Sequence, residues 1–390
     1  MNKSTDSYLR ELIEHFCRRD DLSTDDPYDI WKTTLGLRVK DLYNSHRRLG
    51  LLPAGTLALY DNFLNNSSRW LYRRQEYPIV RAFAALCLIN LYSATHEEQL
   101  LKEARSHLNW LLIHSCTGYS GPCWGLGFTN AVSRNLVYSA NIPFSTMTPY
   151  PLEAFIAYEK ATESHEFDSA VQGIWQFFDR DIQVMEEDEE ILATSYGPFQ
   201  DRTVTNAISY TMYSYAVCLS YVSSYTDRIR TRIRKLYTYI RRHQQPDGSW
   251  LYAPQSGSFI DCFHSCIVLK NLIKTDAIIE LPGSQSVIRA GYSYLLGALL
   301  DKEHFLFRRF SVKNKPGLVK FDLYDNAEVL NLAFLLGDYQ LAQKLLYSIR
   351  KHFCRGLNIY SQIDLTGALR NKNTLRWAAM PFLYAASNLL

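Results

Sequence analysis

Four acidic side chains and one imidazole have a spacing that suits acid–base chemistry. Asp261 and His264 are three residues apart at the start of an apolar run, and Asp322, Asp325 and Glu328 repeat that spacing at the start of another. Residues three apart share a helix face. A histidine can remove a carbon-bound proton, and two carboxylates can act as acid and base in a hydrolysis. The spacing predicts a catalytic site formed by Asp261, His264, Asp322 and Asp325.

The same residues also have a structural interpretation. Asp261, Asp325 and Asn206 could be helix N-caps, because Asp and Asn readily accept a hydrogen bond from a free backbone N–H at that position. His264 alone could be an ordinary helix histidine. The residue types leave both interpretations open.

An internal repeat indicates how these residues would be positioned. Its unit is a loop rich in Gly, Pro or aromatic residues, then a short apolar helix, then a longer amphipathic helix. Such hairpins cannot bury their apolar faces alone but can do so by closing into a ring. The sequence therefore predicts an all-α fold, an (α/α)6 toroid of two concentric helical layers with almost no sheet. We expect one domain, residues 1–390, whose helical segment 1–60 completes the outer layer. The inner helices are expected to begin near residues 78, 151, 206, 261, 325 and 376.

Polar and aromatic residues recur where these inner helices would begin. An acidic and aromatic cavity suits a sugar, whose hydroxyls need polar partners and whose C–H faces stack on aromatic rings. Two members have alternatives: Trp250 could staple a turn between hairpins, and Glu328 could form an ion pair with Arg376. The predicted substrate-binding residues are Trp250, Tyr252, Tyr196, Glu76, Arg81, Trp124, Asn206, Tyr210, Glu328, Arg376 and Trp377.

Composition argues against several classes of protein. The net charge is +3, and the basic run 228–235 has helical spacing between apolar residues, which indicates a solvated helix face and not a nucleic-acid site. No apolar run approaches the roughly 20 residues of a membrane span, and no secretory signal is visible, so we expect a cytoplasmic protein. Cys262, His264 and Cys266 point in different directions on one helix, so we expect no metal, and no cofactor is indicated.

Three segments resemble proteins encoded in bacterial exopolysaccharide and lipopolysaccharide gene clusters. The first is Gly248-Ser-Trp-Leu-Tyr252 followed by Phe259-Ile-Asp-Cys-Phe-His264. The others are Gln75-Glu-Tyr-Pro-Ile-Val-Arg-Ala82, and Trp124-Gly-Leu-Gly-Phe128 with Thr148-Pro149 downstream. The layout is more distantly similar to toroidal sugar epimerases and uronyl hydrolases. The chain departs from the family pattern at Thr129-Asn130, where Asp-Trp is expected.

The resemblance implies a carbohydrate-processing protein of bacterial surface-polysaccharide biosynthesis. Hydrolysis, epimerisation and elimination all remain compatible with the residues, with Arg376 or Arg81 available to hold a substrate carboxylate. The alternative is a non-catalytic glycan-binding or scaffold subunit of the polysaccharide assembly machinery. The expected partners are a sugar or oligosaccharide and, at the membrane, that machinery; the oligomeric state is left open.

Overall fold

The backbone closes into a ring of helices. The computed structural model describes residues 3–133, 136–200, 202–254, 257–313 and 317–390. Within these ranges, six inner helices contact one another in chain order, and the last contacts the first. Each begins close to its predicted position. The inner helices are α4 (Pro78–Thr95), α6 (Pro149–Thr162), α8 (Thr205–Cys218), α10 (Cys262–Asp276), α12 (Leu323–Leu335) and α14 (Met380–Ser387).

An outer layer of amphipathic helices surrounds the ring. In the outer helix Thr226–Arg242, apolar residues at helical spacing are buried, and the arginines between them are exposed or partly exposed. The basic run is therefore a solvated helix face, as the sequence indicated. The outer helices are α1 (Lys3–Cys17), α5 (Glu98–Ile113), α7 (Asp168–Gln176), α9 (Thr226–Arg242), α11 (Ser284–Leu299) and α13 (Tyr339–Phe353).

The inner helix α4 has the length and composition of a membrane span. It has 18 residues with a mean hydropathy of 1.4, and 67% of it is buried inside the ring. An inner helix is apolar on most sides because it contacts both ring neighbours and the outer layer. Among the described helices α4 alone has these properties, and its burial is that of a core helix.

The amino-terminal segment divides into two parts. α1 packs against α4 and α14, with Leu12 and Phe16 in the core, and so supplies the outer helix next to the sixth inner helix. Two further helices, α2 (Thr34–Ser45) and α3 (Arg47–Phe63), pack mainly on each other and bury few apolar residues. Within the segment 1–60, α1 therefore lies in the outer layer, whereas α2 and α3 form a separate hairpin beside the ring.

Short antiparallel strands add more sheet than the sequence predicted. They lie in the connections between helices, and no parallel pairing occurs among the described residues. The main pairings are β5 with β8, and β9 and β12 on either side of β11. The strands are β1 (Asn130–Ser133), β2 (Leu136–Tyr138), β3 (Val184–Glu187), β4 (Leu192–Thr194), β5 (Ile260–Asp261), β6 (Leu300–Asp301), β7 (Leu306–Phe307), β8 (Phe310–Val312), β9 (Val319–Asp322), β10 (Cys354–Arg355), β11 (Asn358–Asp364) and β12 (Leu369–Lys372).

Two of the predicted substrate-binding tryptophans join hairpins instead. The indole N–H of Trp250 donates to the carbonyl of Ile240 at 3.0 Å, and that of Trp124 donates to the carbonyl of Leu111 at 3.0 Å. Both side chains are buried. A Cβ at Gly291 would lie 2.6 Å from the Trp250 ring, so the neighbouring outer helix packs directly on the indole. The turn-staple alternative therefore describes Trp250, and the same contact recurs at Trp124.

We predict that Trp250→Phe lowers stability and leaves sugar affinity unchanged. The change leaves a buried carbonyl without its donor, which costs about 1 to 3 kcal/mol. Urea unfolding and calorimetric titration with a ligand sugar measure the two effects. Trp70→Phe, at an exposed tryptophan, is the matched control. Weaker sugar binding with unchanged stability would show that Trp250 contacts the sugar.

Candidate functional site

Two strand ends place candidate acids at helix starts. Asp261 ends β5 and is the N-cap of α10, where it accepts the backbone N–H of His264 at 2.9 Å. Asp322 ends β9 and is the N-cap of α12, where it accepts the N–H of Tyr324 at 2.9 Å. Asp325 lies in the first turn of α12 and is not the cap. Of the three proposed caps, Asp261 is therefore one, whereas Asp325 and Asn206 are not; Asp322, for which no cap was predicted, is one.

The imidazole of His264 is held between a carboxylate and aromatic rings. Its Nδ1 lies 2.8 Å from each carboxylate oxygen of Asp261. The ring centroids of Tyr252 and Phe263 are 4.5 and 5.0 Å from that of the imidazole. Asp261 is buried, but 24% of the His264 side chain is exposed. In the neutral ring Nδ1–H donates to Asp261, so Nε2 carries the lone pair and has no partner among the described residues.

Asp322 is the centre of a buried hydrogen-bond network. One carboxylate oxygen accepts from Arg309 at 2.8 Å and from the Gln362 amide at 3.1 Å. The Trp377 indole N–H lies 2.9 and 3.0 Å from its two oxygens. With the cap bond to Tyr324, both oxygens are occupied, and the carboxylate is fully buried. Asp322 therefore holds other side chains in place and has no free oxygen for a substrate.

Asp325 is a buried carboxyl group of a different kind. Neither of its oxygens has a hydrogen-bond partner among the described residues. Burial raises the pKa of Asp325 well above its ordinary value; Arg309 opposes this, and the nearby charges of Asp322 and Asp261 add to it. Because its oxygens are buried without a hydrogen-bond partner in the described part of the chain, the protonated form of Asp325 is favoured relative to an exposed carboxyl group.

Three residues of this cluster were not predicted from the sequence. The Tyr28 hydroxyl accepts from Arg309 at 3.1 Å and from Gln362 at 3.4 Å. Tyr28 lies in the connection between α1 and α2, Arg309 in the turn before β8, and Gln362 in the strand β11. No sequence spacing relates them. The one sequence signal for these residues was the pair of arginines before Phe310. Pairing of β8 with β5 places Phe310 opposite Asp261.

Other predicted binding residues lie deeper within the ring. Glu328 forms an ion pair with Lys270 at 2.8 Å, and both side chains are 4% exposed. The hydroxyl of Tyr210 bonds to that of Tyr150, and both rings are buried. Asn206 is buried too, with its side-chain oxygen unpartnered among the described residues. These residues lie on inner helices and are buried from solvent.

Arg376 and Trp377 have different roles at the start of the sixth repeat. The Trp377 ring belongs to the Asp322 network, as described above. Arg376 instead forms a buried ion pair with Asp26, which also lies 3.6 Å from Lys32. The suggested pair between Glu328 and Arg376 is therefore not formed. Arg376 anchors the amino-terminal connection to the ring.

Glu76 and Arg81 also attach the amino-terminal connection. They form an ion pair with each other, and Glu76 accepts the backbone N–H of Leu22 at 2.9 Å. Arg81 also bonds to the buried His107 at 2.9 Å. Glu76 borders a separate cleft of about 380 Å³ that Trp110 also lines. The structure thus places both residues outside the cluster around His264.

Tyr196 and Tyr252 lie close to each other. Burial raises the pKa of the Tyr252 hydroxyl, and nearby Tyr196 raises it further. The guanidinium of Arg202 lies 4.3 Å from the Tyr196 ring centroid. Tyr252 stacks on Phe259 at 4.7 Å and contacts His264. The structure therefore brings the predicted residues Asp261, His264, Asp322, Asp325, Tyr252 and Trp377 into one region, with Tyr196 at its edge. We call this region, together with Tyr28, Phe263, Arg309 and Gln362, the central cluster.

Comparison with known proteins identifies the fold. The sequence matches no family model and no curated protein. The structure is similar to a cellobiose 2-epimerase from Spirochaeta thermophila, at 15% identity and a TM-score of 0.56 over 80% of this chain and 84% of that one. It is similar to a D-mannose isomerase at 11% identity and a TM-score of 0.61, over 80% and 87% of the two chains.

A third similar structure is a GH76 α-mannanase from Bacteroides thetaiotaomicron. The identity is 11% and the TM-score 0.56, over 90% of this chain and 97% of that one. These neighbours are (α/α)6 toroids that process carbohydrates. At such low identity the likeness shows the fold alone. The predicted (α/α)6 toroid is confirmed.

We predict that Asp325→Asn flattens the dependence of stability on pH. A raised pKa means that the folded protein holds this proton more tightly than the unfolded chain does. The protonated carboxyl group therefore contributes fully to the free energy of unfolding below the ordinary pKa of 3.8. This contribution is lost as pH rises through the raised pKa. At pH values between 3.8 and the raised pKa, the wild type should lose up to about 1.4 kcal/mol per pH unit relative to the variant.

Urea unfolding at several pH values measures this difference. Asp41→Asn, at an exposed carboxylate, controls for the change in net charge. Parallel stability profiles for the wild type and Asp325→Asn would show that Asp325 is ionised in the folded protein.

Proposed function

We propose that this chain is an enzyme that moves a proton at a sugar carbon, as an epimerase, isomerase or lyase does. His264 is the acid–base group. The observation that carries the proposal is the Asp261–His264 pair, in which Nδ1 is held at 2.8 Å and Nε2 remains available on a partly exposed ring. A general base needs this orientation, because the nitrogen that takes the proton must face the substrate.

The carboxyl groups argue against hydrolysis by two carboxylates. Such hydrolysis needs one acid and one base that reach the glycosidic bond and a water molecule or the sugar carbon. Asp261, Asp322 and Asp325 are 3%, 0% and 1% exposed. The oxygens of Asp261 and Asp322 are also engaged by their own neighbours. Proton transfer through His264 therefore fits the site better than glycoside hydrolysis.

The remaining groups of the central cluster match the needs of proton abstraction. Removing a proton beside a carbonyl or carboxylate builds negative charge on oxygen, which a cation or neutral acid must stabilise. Arg309, which is paired with Asp322, provides a guanidinium whose side chain is 18% exposed. Tyr252, Phe263 and Trp377 provide faces on which a pyranose can stack. Returning the proton to the opposite face gives an epimer, and loss of a leaving group gives an unsaturated product.

The biological setting is proposed from the sequence resemblance. The Gly-Ser-Trp segment and the stretch from Phe259 to His264 resemble proteins of bacterial exopolysaccharide and lipopolysaccharide gene clusters. We therefore propose a sugar or glycan intermediate of surface-polysaccharide biosynthesis as the substrate, processed in the cytoplasm. The fold supports the sugar substrate alone, since similar structures include a cellobiose 2-epimerase and a D-mannose isomerase.

A non-catalytic glycan-binding subunit is the second candidate. It is favoured by a second Asp–His pair outside the central cluster. His304 donates its backbone N–H to Asp301 at 3.1 Å and places Nδ1 2.9 Å from the same oxygen. The arrangement at Asp261 can therefore form for structural reasons alone, because a capping Asp three residues before a His brings the two groups together.

Exchange in deuterium oxide tests the proposed proton transfer. The protein is incubated with a panel of neutral and uronic acid sugars, and mass spectrometry measures deuterium at carbon. We predict that His264→Gln lowers the exchange rate by a factor of about 100 to 10,000. Sugar affinity should fall much less, because the glutamine keeps a polar side chain at the cavity.

His304→Gln is the matched control, since the His304 side chain has the same 24% exposure and its Nδ1 lies at a similar distance from an Asp carboxylate. It should leave exchange unchanged. Sugar binding without exchange or turnover would support the binding subunit. Release of reducing ends without exchange would support hydrolysis.

A further inference from the structure

The helical hairpin beside the ring exposes apolar side chains. We define the outer hairpin as α2, α3 and the connection that follows, residues 34–74. On α3, Leu52, Leu59 and Phe63 share one face, and Leu52 is 78% exposed. Scattered exposed apolar residues are ordinary on a protein surface, but a continuous face along a helix marks an interaction site. The exposed apolar residues of the outer hairpin are Leu35, Leu42, Leu49, Leu51, Leu52, Leu59, Phe63, Leu64, Trp70 and Leu71.

The connection after α3 holds a tryptophan outward. The backbone N–H of Trp70 donates to the buried Asn65 side chain at 2.6 Å, and that side chain donates back to the Trp70 carbonyl at 3.2 Å. Ser68 adds a hydrogen bond to the same asparagine at 3.0 Å. Despite this fixed backbone, the Trp70 side chain is 64% exposed. The connection therefore presents Trp70 and Leu71 to an external surface.

Positive charge surrounds these apolar residues. Residues 34–74 contain seven Lys and Arg against two Asp. Arg47, Arg48 and Arg73 are exposed, and none of them forms an ion pair within the described part of the chain. The connection itself reads Arg69-Trp-Leu-Tyr-Arg-Arg74, with the aromatic and aliphatic side chains between basic ones. The outer hairpin thus combines an apolar face with unneutralised cations.

We propose that the outer hairpin docks on an anionic phospholipid bilayer. Leucines and a tryptophan can enter the boundary between headgroups and acyl chains, while arginines bind anionic headgroups. A second copy of the chain fits less well, because a two-fold contact through this surface would bring like charges together. A protein partner would have to be both apolar and acidic. An anionic bilayer is both apolar and negatively charged, and it needs no shape that matches the hairpin.

The outer hairpin is connected to the central cluster by hydrogen bonds. Asn66 on the hairpin side donates to Asn371 at 3.3 Å, and Asn371 donates to Gln362 at 3.0 Å. Gln362 in turn donates to Asp322. The bilayer would therefore lie beside the end of the ring that carries the central cluster. The membrane proposal itself does not depend on the proposed reaction.

Vesicle flotation with the full chain tests the proposal. The probes are vesicles of phosphatidylcholine alone and of phosphatidylcholine with about one third phosphatidylglycerol. We expect the wild type to float with the anionic vesicles, and binding to weaken as salt is raised. The triple variant Leu52→Ser, Leu59→Ser, Trp70→Ser should bind at least about tenfold more weakly. The charge variant Arg47→Gln, Arg48→Gln, Arg73→Gln should lose the preference for anionic vesicles.

The variants are expected to remain folded, since they alter exposed side chains, and thermal melting checks this. Ile113→Ser is the matched control, because Ile113 is 79% exposed on α5, away from the outer hairpin; it should bind like the wild type. Failure of the wild type to bind either vesicle overturns the proposal. Equal binding by the wild type and both hairpin variants also overturns it, as does a dimer in sedimentation that the leucine and tryptophan changes abolish.

Discussion

One buried carboxylate holds together the connections around the candidate site. Asp322 has no exposed surface and accepts hydrogen bonds from Arg309, Gln362 and Trp377 as well as from the helix that it caps. A buried charge is costly unless its partners are in place. The turn before β8, the strand β11 and the start of the sixth repeat are therefore constrained to meet at one point, and Tyr28 joins them through Arg309 and Gln362.

The interior of the ring explains why the candidate site lies at one end. The inner helices carry polar groups along their length, and several of these groups pair with each other. Lys270 pairs with Glu328, and Tyr150 with Tyr210. Removing one member of such a pair would leave a buried polar group unpaired, at a cost of several kcal/mol. The centre is thus packed, and partly exposed polar groups such as His264 remain where the connections meet.

The two Asp–His pairs show that the same local motif can occur in different surroundings. Asp261 with His264 and Asp301 with His304 have the same spacing, similar Nδ1 distances and equal exposure of the imidazole. What differs is the surroundings. His264 lies among aromatic rings in the same cluster as Asp325 and Arg309, whereas His304 lies beside Phe321 and His352. These surroundings differ because the neighbouring residues come from different parts of the chain.

Hydrophobic periodicity in the sequence was sufficient for the fold. Each repeat has an apolar helix and an amphipathic helix, and only closure into two layers buries both, so the toroid and the starts of its inner helices could be predicted. Helix capping is also local, which is why the cap alternative for Asp261 could be stated in advance. The short strands could not be predicted, because two or three residues carry too little alternation.

The membership of the central cluster was decided by the tertiary structure. Trp250 and Arg376 have the residue types of a sugar site, yet one joins two hairpins and the other pairs with Asp26. Tyr28 and Gln362 joined the cluster without any spacing that relates them to Asp322. Side-chain chemistry and local spacing limit what a residue can do. Which buried charge a residue must neutralise, and whether it is exposed, depends on contacts between different segments, some of them hundreds of residues apart, and such contacts leave no periodic trace in one sequence.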